Sequence, residues 1–472
     1  MIRKLVVSLL CSVLCLDAFA QQAATAKGRK AVEVLGYASQ IAEAAADEIW
    51  PGFDARNYWF APAGDDADGY SIGFGGQSKG AARKAMMSYN IRDYGLEDGL
   101  ALAFHESFHV FERDADRPGA RWRLENSILV SEYPDVSARN SALFNIESQI
   151  LHAALRADDK ATAKRKAQEF IAVRKMRQGE LESRFVEFEK GIESNEGLAE
   201  YAGVKAVIAG IEAVNGKRAT IPFRSLDKGG YFVDRFERLR RITSVGRNSR
   251  LRFYDTGAAQ AFLLDRLMPD WKRRVQSTGA AVQDLVEAAA FDSDELKRMA
   301  ASALRQYEYE AVFKAEQEAS AKKLAERRAT LDSVLNKQGR RYVIDVSALG
   351  RVGDLVSFDP MNVTVIDNQK RVHTRMLIVA QEGVYKATFE QPVVEDRAGK
   401  QYVTVSKLEQ NELLVDGVPL DAAGAVERSF KTISITTPGF KFEASSGVIT
   451  INGQAVIIRL GEAGTKKQAV VR

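Results

Sequence analysis

The sequence predicts a multidomain α+β protein, in which a mainly α-helical region precedes an all-β module built as a sandwich or a barrel. Two observations lead to this prediction. Apolar residues recur at helical spacing through much of residues 28–337. Residues 342–460 instead consist of short alternating runs rich in Val, Ile, Thr and Phe, separated by Gly, Asn or Asp turns. We therefore expect a targeting segment over residues 1–20, a mostly helical domain over residues 21–338 and an all-β domain over residues 339–472.

The first segment has the features of a secretory signal peptide. Arg3 and Lys4 precede an apolar stretch, and Ala18-Phe19-Ala20 resembles a small-residue cleavage site. Cleavage near Ala20 would export the mature chain to the periplasm or the exterior. Both cysteines of the chain lie before that point, so the mature protein would have no thiol for catalysis, metal binding or disulfides. No other stretch is apolar and long enough to predict a transmembrane segment.

Within the helical region, the spacing of apolar residues predicts the elements in order. Residues 50–77 are loop-like because of their Pro, Gly and Asp content, and the alternating run 70–75 indicates a strand. Helices are expected over residues 28–49, 99–111 and 141–155, the last followed by a charged helical stretch to about residue 190. Further helices are expected from about residue 194 to 211, over residues 257–267 and over residues 292–337.

Composition excludes some classes of protein. The chain has 472 residues, of which 46% are hydrophobic and 28% charged, so it can build a large core and is not a disordered protein. A net charge of +4 does not indicate a nucleic-acid partner. One segment is arginine-rich, and we expect a solvated surface there, with an anionic substrate or an envelope surface as the alternative. Its arginines are Arg235, Arg238, Arg240, Arg241, Arg247, Arg250 and Arg252.

The most informative motif is His105-Glu106-Ser107-Phe108-His109. On a helix, residues four apart share a face, so both imidazoles can point at one metal ion. Glu106 lies where its carboxylate can reach a water on that ion. The chain has only four histidines, and two of them are in this motif. The alternative is a buried helix whose histidines bond only to protein groups.

A catalytic zinc site normally has a third protein ligand. The best candidates are Glu196 and Glu200 in the sequence Asn195-Glu196-Gly197-Leu198-Ala199-Glu200, because one turn of helix separates them. One could bind the metal while the other accepts a hydrogen bond from a ligand histidine. A solvated acidic helix face is the alternative interpretation, and His152 and Glu147 are competing ligands.

Together these motifs resemble the gluzincin class of zinc metallopeptidases, in which HExxH is followed by a helix bearing N-E-x-x-x-[DE]. The resemblance implies a zincin-like catalytic domain that binds Zn²⁺ and cleaves a peptide or protein substrate. It implies that His105, His109 and Glu196 are the zinc ligands and that Glu106 is the general base. Glu200 and Asn195 of the same motif would support the ligands without contacting the metal themselves. The interval between His109 and Glu196 is longer than in the best-known members, so an inserted helical segment must return to the site.

A second resemblance involves Tyr254, at the head of a Tyr-x-x-Gly-Ala segment similar to one in aminopeptidase-like gluzincins. There the tyrosine hydroxyl stabilises the oxyanion. The G-x-M-E-N motif that holds a substrate amine is absent, which disfavours an aminopeptidase, and Tyr254 as a core aromatic residue stays open.

The sequence thus predicts an exported zinc-dependent peptidase and leaves endo- and exo-cleavage, the substrate and the oligomeric state open. Two alternatives belong to other classes. One is a catalytically inactive metal-binding protein of the cell envelope, and the other is a scaffold whose β module recognises a partner.

Overall fold

A computed structural model describes residues 29–61, 68–75, 87–114, 122, 125–240, 250–290, 296–349, 353–359, 362–407, 412–420 and 424–461. The predicted signal peptide therefore lies outside the described residues. Within them, a helical N-terminal part with eleven helices is followed by an all-β part, as the sequence predicted. The chain forms two compact units that divide between Ser320 and Ala321, inside the last helix, whereas the change in composition lies at residue 339. Residues 130–132 belong to the β unit.

The helices cover most of the first unit. None of those in the described part of the chain is both long and apolar enough to cross a membrane. Their bounds are α1 Ala31–Ile49, α2 Leu96–Arg113, α3 Ala138–Leu155, α4 Lys160–Gln178, α5 Ser183–Asn215, α6 Lys228–Phe236, α7 Arg252–Leu267, α8 Trp271–Thr278, α9 Val282–Ala290, α10 Leu296–Gln306 and α11 Tyr309–Leu335. A small antiparallel sheet adds β1 Trp59–Phe60, β2 Ser71–Phe74 and β3 Met87–Asn90, of which β2 corresponds to the predicted run 70–75.

One predicted helix boundary is wrong. The charged helix was expected to continue to about residue 190, with a new helix from about 194. Instead α4 ends at Gln178, and α5 runs without interruption from Ser183. The break falls where the chain passes Gly179, whereas Gly191 is buried inside α5. Glycine costs only about 1 kcal/mol in a helix interior, so packing of a long buried helix outweighs it.

Helix α2, which contains the HExxH motif, packs against a cluster of aromatic side chains. The ring of Phe108 lies 5.2 Å from that of Trp50, 5.2 Å from that of Phe53 and 5.5 Å from that of Trp122, measured between centroids. All four side chains are buried. Contacts of this kind exclude water from the face of α2 behind the two histidines and fix its rotation.

Helix α5 crosses α2 and α7 at very short range because glycines form the contact points. A Cβ atom placed on Gly197 would lie 2.5 Å from the Cα atom of Gly257 in α7. A Cβ atom placed on Gly203 would lie 2.6 Å from the carbonyl oxygen of Ala101 in α2. The close backbone approach therefore brings the residues around position 196 to both helices at once.

Replacing Gly197 by alanine is expected to lower the free energy of unfolding by about 1–3 kcal/mol, because the added methyl group meets rigid backbone. Chemical denaturation measures the change. Gly36→Ala is the matched control, since Gly36 is an exposed position of α1 with nothing within 4 Å of an added Cβ. That control should be neutral or stabilising by about 0.5–1 kcal/mol. Equal effects of the two substitutions would show that the helix crossing does not depend on Gly197.

A fully buried network of charges holds α3, α4 and α5 together. Its members are Glu147, Glu189, Glu193, Arg174 and Arg177, with side chains at most 1% exposed. Arg177 Nε lies 2.6 Å from Glu147 Oε1, and Arg174 Nη1 lies 2.7 Å from Glu193 Oε2. Burial opposes the charge of Glu189, yet Arg177 beside it lowers its pKa to about 2. Because Glu193 lies three residues before the predicted third ligand, the network fixes that part of α5.

The strands of the second unit are β4 Arg340–Asp345, β5 Asp354–Phe358, β6 Val363–Val365, β7 Lys370–His373, β8 Leu377–Gln381, β9 Tyr385–Phe389, β10 Val393–Asp396, β11 Gln401–Ser406, β12 Glu412–Val415, β13 Val418–Pro419, β14 Val426–Phe430, β15 Ile433–Thr437, β16 Phe440–Ala444, β17 Gly447–Asn452 and β18 Ala455–Leu460. They form a sandwich of two sheets, with strand order β14-β17-β18-β4-β11-β10-β7-β6 in one sheet and β13-β12-β15-β16-β9-β8-β5 in the other. Strands β4 and β18 pair in parallel, and the other pairs recorded among the described strands are antiparallel. Rings contact one another between the sheets, with centroids 5.3 Å apart for Tyr342 and Phe440 and 6.1 Å apart for Phe389 and Tyr402. These aromatics belong to one core to which both sheets contribute.

Candidate metal centre

Helices α2 and α5 bring two histidines and a glutamate to one buried point. His105 and His109 come from α2, and Glu196 comes from α5. The Nε2 atoms of the two histidines are 3.1 Å apart. Glu196 Oε2 lies 3.0 Å from Nε2 of His109 and 3.5 Å from Nε2 of His105. The three predicted ligands therefore present one donor atom each to a common position.

The spacing of these donor atoms fits a tetrahedral metal ion. Nitrogen and oxygen ligands lie about 2.0–2.2 Å from zinc, which places neighbouring ligands about 3.3–3.6 Å apart in a tetrahedron. The observed separations of 3.1, 3.0 and 3.5 Å are close to that value. Two imidazoles and one carboxylate are also a donor set that a catalytic zinc ion accepts.

Each histidine has a carboxylate at its other ring nitrogen. Nδ1 of His109 lies 3.0 Å from Glu112 Oε2, and Nδ1 of His105 lies 3.4 Å from Glu200 Oε2. Such partners fix the tautomer and the ring orientation of a metal-binding histidine. Asn195 holds Glu112 in turn, because its side-chain nitrogen donates a hydrogen bond to Glu112 Oε2 at 2.7 Å.

Glu112 is one residue of the site that the sequence interpretation missed. It lies three residues after His109 on the same helical face, in the pattern His-Glu-x-x-His-x-x-Glu, and this spacing could have identified it. Burial raises the pKa of Glu112 although His109 donates to it. Burial also opposes protonation of His109, yet the carboxylates of Glu196 and Glu112 raise its pKa to about 10. The surroundings of His109 thus favour positive charge.

Glu106 lies in the same stretch of α2 and is 7% exposed. Among the residues that the structure describes, its carboxylate has no hydrogen-bond or ion-pair partner. A buried carboxylate usually has such a partner. The carboxylate of Glu106 is therefore not held in place by another described side chain.

The second oxygen of Glu196 faces a buried arginine. Glu196 Oε1 accepts a hydrogen bond from Arg250, whose Nε also donates to Glu125 Oε1 at 2.7 Å. Burial raises the pKa of Glu196, but the charges of Arg250 and His109 outweigh burial and hold it well below its usual range. Glu196 is therefore a carboxylate anion at the pH values at which proteins fold.

Tyr254 lies at the start of α7 beside this cluster. Its ring stacks on the ring of His105, with centroids 5.8 Å apart and planes 9° apart. Its hydroxyl accepts a hydrogen bond from Arg250. Tyr201 follows Glu200 in α5, but its hydroxyl is held elsewhere, because it donates to Asp265 Oδ2 at 2.8 Å.

The competing ligands are engaged away from the metal centre. Glu147 belongs to the buried network with Arg174 and Arg177. Nε2 of His152 lies 3.0 Å from Glu237 Oε1. Within the described part of the chain, only His105, His109 and Glu196 form a group of this kind.

The arginine-rich segment is not a solvated surface throughout, and the prediction is wrong for two of its members. Arg250 and Arg252 are each 3% exposed. Arg235 pairs with Glu200, and Arg238 Nη2 pairs with Asp255 Oδ1 at 2.6 Å. These side chains serve the site and the core because their helices pack there, which composition alone does not reveal. Arg241 and Arg247 lie outside the described residues.

Comparisons with known proteins give no relative on which to base an assignment. No protein-family model, no curated protein and no solved structure matches this chain.

Proposed function

We propose that this chain is an exported zinc-dependent peptidase of the gluzincin type. The observation that carries the proposal is the convergence of His105 and His109 of α2 with Glu196 of α5. Glu106 lies next to His105 on α2. The predicted signal peptide supports export, and the β unit would bind substrate or a partner.

In peptide hydrolysis each side chain of the site would have a separate role. Zinc, held by the two histidines and Glu196, would act as a Lewis acid toward the scissile carbonyl and lower the pKa of a water toward about 7. Glu106 accepts a proton from the attacking water and passes it to the leaving amine nitrogen as the carbon–nitrogen bond breaks. Tyr254 donates a hydrogen bond to the carbonyl oxygen as it gains negative charge. Glu112 and Glu200 keep the imidazoles oriented.

The test is removal and return of the metal. The purified mature protein should contain one zinc ion per chain and cleave members of a mixed peptide library. Chelation should abolish cleavage, and added Zn²⁺ should restore it. His105→Ala is the control for adventitious metal, because it removes a ligand. A protein that holds no zinc after exposure to Zn²⁺ contradicts the proposal.

A metal-binding envelope protein without turnover is the second candidate, and the low exposure of the site favours it. His105 is 8% exposed and Glu106 is 7% exposed. In that case the same experiment would give one bound zinc ion without cleavage of any peptide in the library.

Tyr254→Phe should lower kcat by about 10²–10³-fold, because it removes a donor that acts on charge developed in the transition state. Zinc content should not change, since Tyr254 is not a ligand. Tyr201→Phe is the matched control, because its hydroxyl is bound to Asp265 in the core. Steady-state kinetics with metal analysis measures both variants. Equal kcat values for Tyr254→Phe and the wild type would make Tyr254 a core aromatic residue.

A further inference from the structure

We propose that Arg250 is a positioning residue of the metal centre, which restricts Glu196 to one metal-facing oxygen and holds the hydroxyl of Tyr254 in place. This inference rests on the proposed function, because it concerns the same site. The sequence interpretation had placed Arg250 in a solvated stretch. In the structure its guanidinium is buried against a candidate metal ligand.

The two oxygens of Glu196 have separate partners. Oε2 is the atom that lies within 3.5 Å of both histidine nitrogens, whereas Oε1 accepts a hydrogen bond from Nη2 of Arg250. A carboxylate whose second oxygen is engaged in this way favours binding to a metal through its other oxygen alone. Catalytic zinc sites need an open position for water or substrate, and a carboxylate that binds through both oxygens would reduce that space.

The other end of the guanidinium reaches Tyr254. Nη1 of Arg250 donates to the phenol oxygen. A phenol oxygen that accepts this bond still has its own proton to donate. Because a guanidinium is planar and rigid, one side chain sets the position of Glu196 and Tyr254 relative to each other. A lysine, with a single flexible charge, could not do the same.

The arrangement is costly, which argues against a role in packing alone. Moving a cation out of water is costly, and an apolar side chain would fill the same space without that cost. Glu125 offsets the charge, because its carboxylate accepts from Nε at 2.7 Å and from Nη2 at 2.6 Å. With Glu125 present, the positive charge of Arg250 need not repel a metal ion bound by Glu196.

The experiment compares zinc affinity in folded variants. The Arg250→Gln/Glu125→Gln double variant removes both charges together, so it avoids a lone buried charge. Arg250→Lys keeps the charge and loses the planar fork. Arg266→Gln is the control, since Arg266 of α7 binds backbone carbonyls of Ala154 and Leu155. Zinc dissociation constants come from competition with a chromophoric chelator, and Co²⁺-loaded protein reports coordination number through its visible absorption. Circular dichroism and the thermal midpoint verify folding.

We expect the double variant to bind zinc about 10–100-fold more weakly than the wild type. Its Co²⁺ absorption should fall in intensity, as Glu196 gains a second contact to the ion. Arg250→Lys should recover part of the zinc affinity, and Arg266→Gln should match the wild type. Unchanged zinc affinity and an unchanged Co²⁺ spectrum in both Arg250 variants would overturn the positioning role alone. Failure of the wild type to bind zinc would overturn the proposed function, and this role with it.

Discussion

Glu106→Gln is expected to lower kcat by about 10²–10⁴-fold while the protein keeps its zinc and its fold. The substitution preserves the shape of the side chain and leaves His105 and His109 untouched. It removes the carboxylate that would accept the proton of the attacking water. No other described group needs Glu106 as a partner, so its loss should not disturb the surrounding structure.

Three measurements on one preparation test this prediction. Peptide hydrolysis gives kcat, metal analysis gives the zinc content, and chemical denaturation gives the free energy of unfolding. Glu97→Gln provides the matched control, because Glu97 lies in the first turn of the same helix and bonds to the backbone nitrogen of Arg224. Loss of zinc from Glu106→Gln would mean that Glu106 is a ligand. Turnover close to that of the wild type would mean that another base acts in the reaction.

The parts of the site that could be predicted from the sequence are those whose relative positions are set by a single helix. The spacing of His105 and His109 needs nothing beyond a helix. Glu112 has an equally local relation to His109 and could have been predicted in the same way. Glu196 lies on a distant helix, and its one-turn spacing to Glu200 together with the resemblance to a known motif pointed to it. Its actual approach depends on backbone contacts at Gly197 and Gly203, which no pattern in the sequence reveals.

Arg250 and Glu125 show why the remainder could not be predicted. Both are charged residues of ordinary type, and Arg250 lies in a stretch whose composition indicates solvent exposure. Their burial depends on how the segments that precede α3 and α7 pack in the folded chain. A hydrophobic pattern cannot report such a pair, because each charge is tolerated in the interior only when the other is present.

The same distinction applies to the β unit. Alternation along each strand is local, so the all-β class was predictable. The pairing of β4 with β18 is parallel and joins the two ends of the unit, with register Val343 to Ile457. Strand order of this kind depends on long-range packing, since every strand presents a similar apolar face.

Glu196→Ala should lose most of the zinc affinity, whereas Glu200→Ala should lose only about 10–100-fold. The structure gives the reason for this order. Glu196 Oε2 is 3.0 Å from Nε2 of His109, while Glu200 reaches only Nδ1 of His105, at 3.4 Å, on the far side of its ring. The Glu196 variant should still fold, because Arg250 keeps its bonds to Glu125.

Dialysis against graded free zinc, followed by metal analysis, measures both affinities. Glu112→Ala belongs in the same series, because Glu112 holds Nδ1 of His109 as Glu200 holds that of His105. It should therefore weaken binding by a similar factor of about 10–100. Should Glu200→Ala release zinc while Glu196→Ala retains it, the two carboxylates exchange roles. Full zinc occupancy in all three variants would mean that another residue is the third ligand, and the gluzincin assignment would then be wrong.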